Sequence, residues 1–96
     1  HLGSPVFHPQ QVQRLVRSLH GVFPQVRCYG VYVPLYGAYW GMAVCSDTLD
    51  ATAPTAAQVR ERLQARGVGD LQYYNPAVHG SLFALPNYYA QLVAPA

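Results

Sequence analysis

The sequence predicts an α/β fold, namely the C-terminal portion of a doubly wound sheet, and three observations lead to this expectation. A helical pattern, two strand patterns and a second helical pattern follow one another along 96 residues. Both strands are apolar on successive residues, as is typical of strands that are covered on both faces. The opening "HLGSP" has the character of a strand end and the loop into a first helix, which is half of a βα unit. Because two strands alone form a barely stable sheet, we expect earlier strands upstream of His1.

Residues 9–20 are predicted to form an amphipathic helix. Pro9 suits the first turn of a helix, and apolar residues recur at helical spacing from Val12 to Leu19. Glutamines and arginines occupy the other positions. Gly21 supplies the stop signal.

The stretch "VRCYGVYVPLYGAYWGMAVCS" predicts strands over about 26–33 and 39–45, because it is rich in β-branched and aromatic residues on both sides of a glycine. We expect an antiparallel pair that turns around Tyr36–Gly37. This turn would bring Cys28 and Cys45 nearly opposite each other, and we expect both to be buried free thiols.

A second helix is predicted over about 56–66, in "TAAQVRERLQARG". Thr55 and Gln58 have the spacing of a capping box, Val59 lies on the apolar edge, and Gly67 follows the last turn.

Residues 71–93 are predicted to form a closing segment that folds back onto the sheet. Its part "YYNPAVHGSLFALP" is too irregular for one helix or one strand, and a turn is expected at Asn75–Pro76. A last short helix is expected over 87–93. We interpret His79 as a packed histidine that makes one or two hydrogen bonds. Large side chains would anchor the segment: Tyr73, Tyr74, Phe83 and Leu85.

The composition excludes several classes of protein. Apolar residues make up 51% of the chain and charged residues 10%, so disorder is excluded and some apolar surface is expected to face a partner or another part of the protein. A net charge of +2 lacks the dense basic stripe of a nucleic-acid binder. No apolar run is long enough to span a bilayer. No Cys-x-x-Cys or His-x-x-x-His spacing occurs, so no metal site is expected.

Three segments resemble the polyamine aminopropyltransferases, the spermidine synthase family. "VYVPLYGAYWGMAVCSD" is similar to the family's Ile/Val-Pro-Thr-Tyr-(Gly)-Gly-X-Trp-Gly-Phe segment. "LQYYNPAVHGSLFALPNYY" is similar to its Leu-(Arg/Lys)-Tyr-Tyr-Asn-X-X-Val-His-Arg-Ala-Ala-Phe-X-Leu-Pro signature, and "SLHGVFPQVRCY" to the Phe-Pro-X-Val before its penultimate strand. The resemblance implies that residues 1–96 are the C-terminal part of a Rossmann-like, methyltransferase-type catalytic domain.

The resemblance also implies a reaction. The family transfers an aminopropyl group from decarboxylated S-adenosylmethionine to putrescine or a similar amine, giving spermidine and methylthioadenosine. Its nucleotide loop and catalytic aspartate lie upstream of the part that this chain resembles. We therefore expect no catalytic residue and no cofactor in this chain, a co-substrate bound mainly by the upstream part, and no activity of the chain alone.

Two residues are implied to line the amine site. Tyr36 matches the tyrosine of the family's Pro-Thr-Tyr motif, although Leu35 replaces the threonine. His1 stands where the family has a glutamine at the end of its fifth strand, unless "HLGS" is partly a cloning remnant. A histidine accepts a hydrogen bond from an amine only through an unprotonated ring nitrogen. The segment "GSLF" also departs from the family's Arg-Ala-Ala-Phe.

The resemblance implies a cytoplasmic parent enzyme, with the N-terminal part of the same enzyme and further copies of itself as partners, and with neither nucleic acid nor membrane among them. Two alternatives stay open at this point. The chain is either part of such an enzyme or a non-catalytic assembly or interaction module derived from the fold. A fragment of a related AdoMet-dependent methyltransferase would explain the strands, but not the Pro-X-Tyr and Tyr-Tyr-Asn segments.

Overall fold

The structure is a computed structural model and describes residues 1–94, so the last two residues of the predicted 1–96 domain lie outside it. In chain order the elements are α1 (Pro9–His20), β1 (Gln25–Val33), β2 (Ala38–Ser46), α2 (Ala56–Ala65), α3 (Pro76–Leu82) and α4 (Asn87–Val93). Within residues 1–94, none of the helices combines the length and apolar character that crossing a lipid bilayer requires.

Strands β1 and β2 form an antiparallel hairpin in which Gly30 lies opposite Gly41. The turn between them is closed by the carbonyl of Val33, which accepts hydrogen bonds from the N–H groups of Tyr36 and Gly37 at 3.0 and 2.9 Å. Gly37 has a φ of 63°, a left-handed conformation that costs glycine little. The expected antiparallel pair is therefore present.

The two cysteines are not opposite each other, and that part of the expectation is wrong. Cys28 lies opposite Ala43, and Cys45 lies opposite Val26. The loop comprises the four residues between the paired Val33 and Ala38, so the hairpin is centred one position earlier than Tyr36–Gly37. Both cysteines are free thiols on one face of the sheet, but they are half-buried rather than buried as expected. Burial, with a smaller contribution from Cys45, raises the pKa of Cys28 to about 11.

The N-terminal segment is a third, very short member of the sheet. The N–H of Leu2 donates to the carbonyl of Gly41 at 2.8 Å, and the N–H of Gly41 donates to the carbonyl of Gly3 at 2.7 Å. Leu2 and Gly3 thus both lie opposite the single residue Gly41, as in a β-bulge. The segment runs antiparallel to β2 and hence parallel to β1, to which α1 connects it. This arrangement is the half βα unit that "HLGSP" predicts.

Helices α1 and α4 cover one face of the hairpin. The buried core consists of Leu2, Val12, Val16 and Tyr89, and the half-buried Cys28, Tyr39 and Ala43 pack against it from the strands. The ring of Tyr39 also lies over Gly30, where a β-carbon would collide with it. An aromatic side chain therefore fills the space that the glycine leaves empty.

The opposite face is covered only in part by the described residues. Phe83, at the end of α3, packs against Tyr29 with ring centroids 5.5 Å apart. Further along this face Trp40 and Met42 are only half-buried and Val44 is exposed. The strands are apolar on both faces, so this face is an apolar surface that residues 1–94 leave partly uncovered.

The closing segment contains a helix that the sequence did not predict. Asn75 caps α3, since its side-chain oxygen accepts a hydrogen bond from the N–H of Val78 at 2.8 Å, and Pro76 occupies the first turn. The predicted turn at Asn75–Pro76 is thus a helix start. In α2 the predicted capping box is present, with both hydrogen bonds between Thr55 and Gln58 formed.

Candidate functional site

The hairpin turn and the end of the N-terminal segment lie at the same edge of the sheet. It is the edge where the two parallel members, the N-terminal segment and β1, have their carboxyl ends. Open α/β sheets bind ligands at this edge. Tyr36 lies in the turn itself, and Trp40 is the third residue of β2.

Trp40 brings the two predicted site residues together. Its ring stacks against Tyr36 with centroids 4.4 Å apart and planes inclined at 38°. The ring centroid of His1 is 6.3 Å from that of Trp40, and the indole N–H of Trp40 donates to Nδ1 of His1 at 3.3 Å. We call His1, Tyr36 and Trp40 the aromatic edge cluster. It combines aromatic faces with a phenol hydroxyl on a half-exposed surface.

The hydrogen bond from Trp40 determines what His1 can offer a ligand. The indole N–H is only a donor, so Nδ1 of His1 is the acceptor and carries no proton in this geometry. A neutral imidazole then has its proton on Nε2. His1 therefore has no free acceptor nitrogen for an ammonium group, but its Nε2–H can donate to the lone pair of a neutral amine.

The carboxylate of Asp50, in the loop after β2, contacts the hairpin at its other end. Arg27 donates to both carboxylate oxygens of Asp50, at 2.9 and 2.8 Å. This hydrogen-bonded guanidinium, assisted by Thr52, holds the pKa of Asp50 well below its usual range. Arg27 is six residues from Val33, about 20 Å along an extended strand. Asp50 is thus paired with Arg27 and distant from the aromatic edge cluster, which itself contains no carboxylate.

His79 is placed away from the cluster and is packed, as its interpretation from the sequence proposed. Its Nε2 lies 2.7 Å from the carbonyl of Ala51, and its Nδ1 lies 2.7 Å from the hydroxyl of Tyr74. A carbonyl only accepts, so Nε2 is the donor, and in a neutral ring Nδ1 accepts from Tyr74. The bond from Nε2 joins the closing segment to the loop after β2, and the bond to Nδ1 lies within the closing segment itself.

Within residues 1–94, no three His, Cys, Asp or Glu side chains come close enough together to hold a metal ion.

The sequence reasoning missed Trp40 as a member of the site. The available signal was its position: it is the only tryptophan of the chain and follows the turn of Tyr36 by four residues. Its contact with His1 spans 39 residues of sequence and arises from the pairing of the N-terminal segment with Gly41, which no local pattern encodes.

Sequence relatives cover almost the whole chain. It is 38% identical over 94 residues to a polyamine aminopropyltransferase of Nitrosomonas europaea and 36% identical over 83 residues to polyamine aminopropyltransferase 2 of Hyperthermus butylicus. These matches include 98% and 86% of this chain but only 29% and 27% of the relatives. The chain thus spans less than a third of their length. No family model matches it.

Solved structures give the same result. A spermidine synthase in complex with the transition-state analogue AdoDATO superposes with a TM-score of 0.79 at 26% identity. The spermidine synthase of Thermotoga maritima superposes with a TM-score of 0.81 at 25% identity. Each comparison covers 96% of this chain and about a third of the other, 31% and 32%. The expected Rossmann-like, methyltransferase-type fold is thereby confirmed. The chain is thus similar to polyamine aminopropyltransferases in sequence and to spermidine synthases in structure, and it fits their C-terminal part.

Proposed function

We propose that the chain is the C-terminal part of the catalytic domain of an aminopropyltransferase. The enzyme would transfer an aminopropyl group from decarboxylated S-adenosylmethionine to putrescine or a similar amine, giving spermidine and methylthioadenosine. The observation that carries this proposal is the 38% identity to a polyamine aminopropyltransferase over 94 residues. The position of the aromatic edge cluster, at the sheet edge where ligands bind, also supports it.

The chemistry explains what such a cluster would contribute. The lone pair of the amine nitrogen attacks the carbon next to the sulfonium sulfur, the carbon–sulfur bond breaks, and its electrons stay on sulfur in methylthioadenosine. The attacking nitrogen must be neutral before attack and loses a proton afterwards. Tyr36 and Trp40 present ring faces to which an ammonium end of a diamine is attracted.

The proposal assigns the remaining chemistry to a part of the enzyme upstream of His1. Carboxylates are needed to bind the ammonium groups and accept the proton, and a loop is needed to hold the nucleotide. The carboxylate of Asp50 is bound to Arg27 at the far end of the hairpin. The 96-residue chain alone would then release no methylthioadenosine above background. Tyr36 and His1 would bind the amine without being catalytic.

We also propose a setting for the parent enzyme. Free thiols at Cys28 and Cys45 fit a reducing compartment such as the cytoplasm. The half-covered face of the hairpin would be buried by the N-terminal part of the same enzyme. We expect the parent to assemble with further copies of itself, and neither a nucleic acid nor a membrane to be a partner.

A chimera tests the function. The chain replaces the matched segment of the Nitrosomonas europaea aminopropyltransferase, and methylthioadenosine release is measured with decarboxylated S-adenosylmethionine and putrescine. We expect turnover by the chimera, none by the chain alone, and none by the relative truncated before the segment. A chimera that unfolds cooperatively and binds the nucleotide co-substrate, yet turns over no amine from a panel of di- and polyamines, would refute the proposal in favour of a non-catalytic module.

A further inference from the structure

A cavity lies between α2 and the closing segment, far along the chain from the aromatic edge cluster. It has a volume of about 210 Å³, and its walls are mostly apolar. Its lining residues include Val59, Leu63 and Val68, and Arg62 and Arg66 also line it. This volume is below the roughly 300–1,000 Å³ of pockets that hold drug-sized ligands, so the cavity suits a smaller molecule.

The two arginines stand one helical turn apart. Side chains four residues apart project from the same face of a helix, with β-carbons about 5–6 Å from each other. Both guanidinium groups can therefore reach one anion, and each offers a fork of N–H donors. Within residues 1–94 the ion pair that forms is Arg27 with Asp50, so no described carboxylate neutralises Arg62 or Arg66.

The other polar groups in the wall are already satisfied. The hydroxyl of Tyr74 is bonded to Nδ1 of His79, and Nε2 of His79 is bonded to the carbonyl of Ala51. The interior of the cavity therefore presents apolar surface. The positive charge and the unused N–H donors belong to Arg62 and Arg66, on the side where α2 ends. This distribution matches a molecule with a short apolar body and one terminal anionic group.

We propose that this cavity binds a small organic carboxylate, with its apolar body against Val59 and Leu63 and its carboxylate between Arg62 and Arg66. A guanidinium–carboxylate contact of this kind is charge-assisted and stronger than a hydrogen bond between neutral groups. The site is independent of the amine site, because it uses α2 and the closing segment rather than the hairpin turn.

The test is a titration of the chain with 4-methylpentanoate, followed by NMR at low ionic strength because salt screens exposed charges. The matched neutral ligand is 4-methylpentanamide. We expect saturable shifts of the Val59 and Leu63 methyl groups with the acid, and at least about tenfold weaker binding of the amide. Equal binding of the amide, or no saturable shift at these methyl groups, would overturn the proposal.

Variants identify the residues responsible. The double change Arg62→Gln and Arg66→Gln should weaken binding of the acid at least about tenfold, whereas Arg60→Gln on the same helix should leave the Kd unchanged. An equal loss in Arg60→Gln would show that only the net charge of the helix matters.

The last experiment titrates the chain with an acetylated dipeptide that ends in leucine with a free carboxylate. If it binds more tightly than 4-methylpentanoate, the occupant is a chain end rather than a small acid. Thermal unfolding of every variant verifies folding, and all three are exposed substitutions.

Discussion

The buried face of the hairpin and its carboxyl edge use aromatic side chains in opposite ways. On the face under α1 and α4, Tyr89 is completely buried and surrounded by the core. At the carboxyl edge, Tyr36 is 49% exposed and contacts Trp40. Both are tyrosines beside a strand of the same sheet. The difference indicates that the buried face maintains the fold, whereas the edge leaves an aromatic side chain accessible to solvent.

Tyr89 connects α4 to both strands. Its hydroxyl donates to the carbonyl of Tyr29 at 2.9 Å, and its ring meets Tyr39 edge-on with centroids 6.0 Å apart. Burial raises the pKa of Tyr89 well above its usual range, so this residue remains a neutral phenol at any physiological pH. Its role is structural, and it offers nothing to a ligand.

The largest expected effect therefore comes from Tyr89→Ala. Loss of a fully buried aromatic side chain lowers the free energy of unfolding by about 3–5 kcal/mol, because it leaves a new cavity beneath the hairpin. Tyr36→Ala should reduce the free energy of unfolding by less than about 1 kcal/mol, because a half-exposed ring buries little area. Urea unfolding of both variants measures the contrast. A Tyr36→Ala variant that is as unstable as Tyr89→Ala would show that the edge is part of the core.

Gly41 is enclosed between Tyr89 and the N-terminal segment, and we expect it to tolerate no larger residue. A β-carbon there would lie 2.9 Å from the hydroxyl of Tyr89 and 3.2 Å from the carbonyl of Gly3. Gly41→Ala should thus reduce the free energy of unfolding by about 1–3 kcal/mol.

Gly80 is the matched control for Gly41. It lies inside α3 with open space around its α-carbon, so Gly80→Ala should be neutral or stabilising by up to about 1 kcal/mol. Equal destabilisation by the two changes would mean that close packing around Gly41 is not the cause.

Tyr36→Phe, made in the chimera, should affect the amine rather than the fold. The change keeps the stacking on Trp40 and removes one hydroxyl, a loss of about 0.5–1.5 kcal/mol for a neutral hydrogen bond. We expect kcat/KM for putrescine to fall accordingly, a larger fall for Tyr36→Ala, and an unchanged KM for decarboxylated S-adenosylmethionine. Steady-state kinetics with each substrate varied in turn measure both.

His79→Ala is the control for Tyr36. It breaks the hydrogen bonds to Tyr74 and Ala51, so it should lower stability without a selective effect on the amine. Unchanged amine kinetics in Tyr36→Phe, together with a stable His79→Ala enzyme that loses turnover, would reverse the two assignments.

Local patterns predict the elements of this fold better than they predict its contacts. The helical spacing from Val12 to Leu19 and the signals at Pro9 and Gly21 are all local, and α1 has the predicted bounds 9–20. Helix α3 was not predicted, because its seven residues include Gly80 and Ser81 and are too few to show a helical apolar pattern. The hairpin register was misplaced because the length of the loop, and not the position of its glycine, fixes which residues are paired.

The candidate site shows the same limit. Tyr36 could be singled out through its motif, but the approach of His1 to Trp40 depends on the pairing of Leu2 and Gly3 with Gly41, nearly forty positions away. The same holds for the tautomer of His1, which follows from a single long-range hydrogen bond.

The smallest expected effect concerns the ion pair at the other end of the hairpin. Asp50, bonded to Arg27, has a pKa below its usual range, and in the unfolded chain its pKa returns to about 3.9. A carboxyl group whose pKa is lowered by folding stabilises the folded state at pH values above its unfolded pKa, and this contribution is lost as the pH falls toward the folded pKa. Asp50→Asn should therefore lower stability slightly at pH 7, and the difference from the parent chain should shrink below about pH 4.

Urea unfolding of both proteins at pH 7, 5 and 3 measures this difference. The effect is small because the pair is exposed to solvent and is screened by salt. Asp47→Asn is the control, since Asp47 lies in the same loop but outside the ion pair. A pH-independent difference for Asp50→Asn would mean that the charge of Asp50 does not stabilise the folded state. The amino end of the hairpin would then be held by loop geometry rather than by the ion pair.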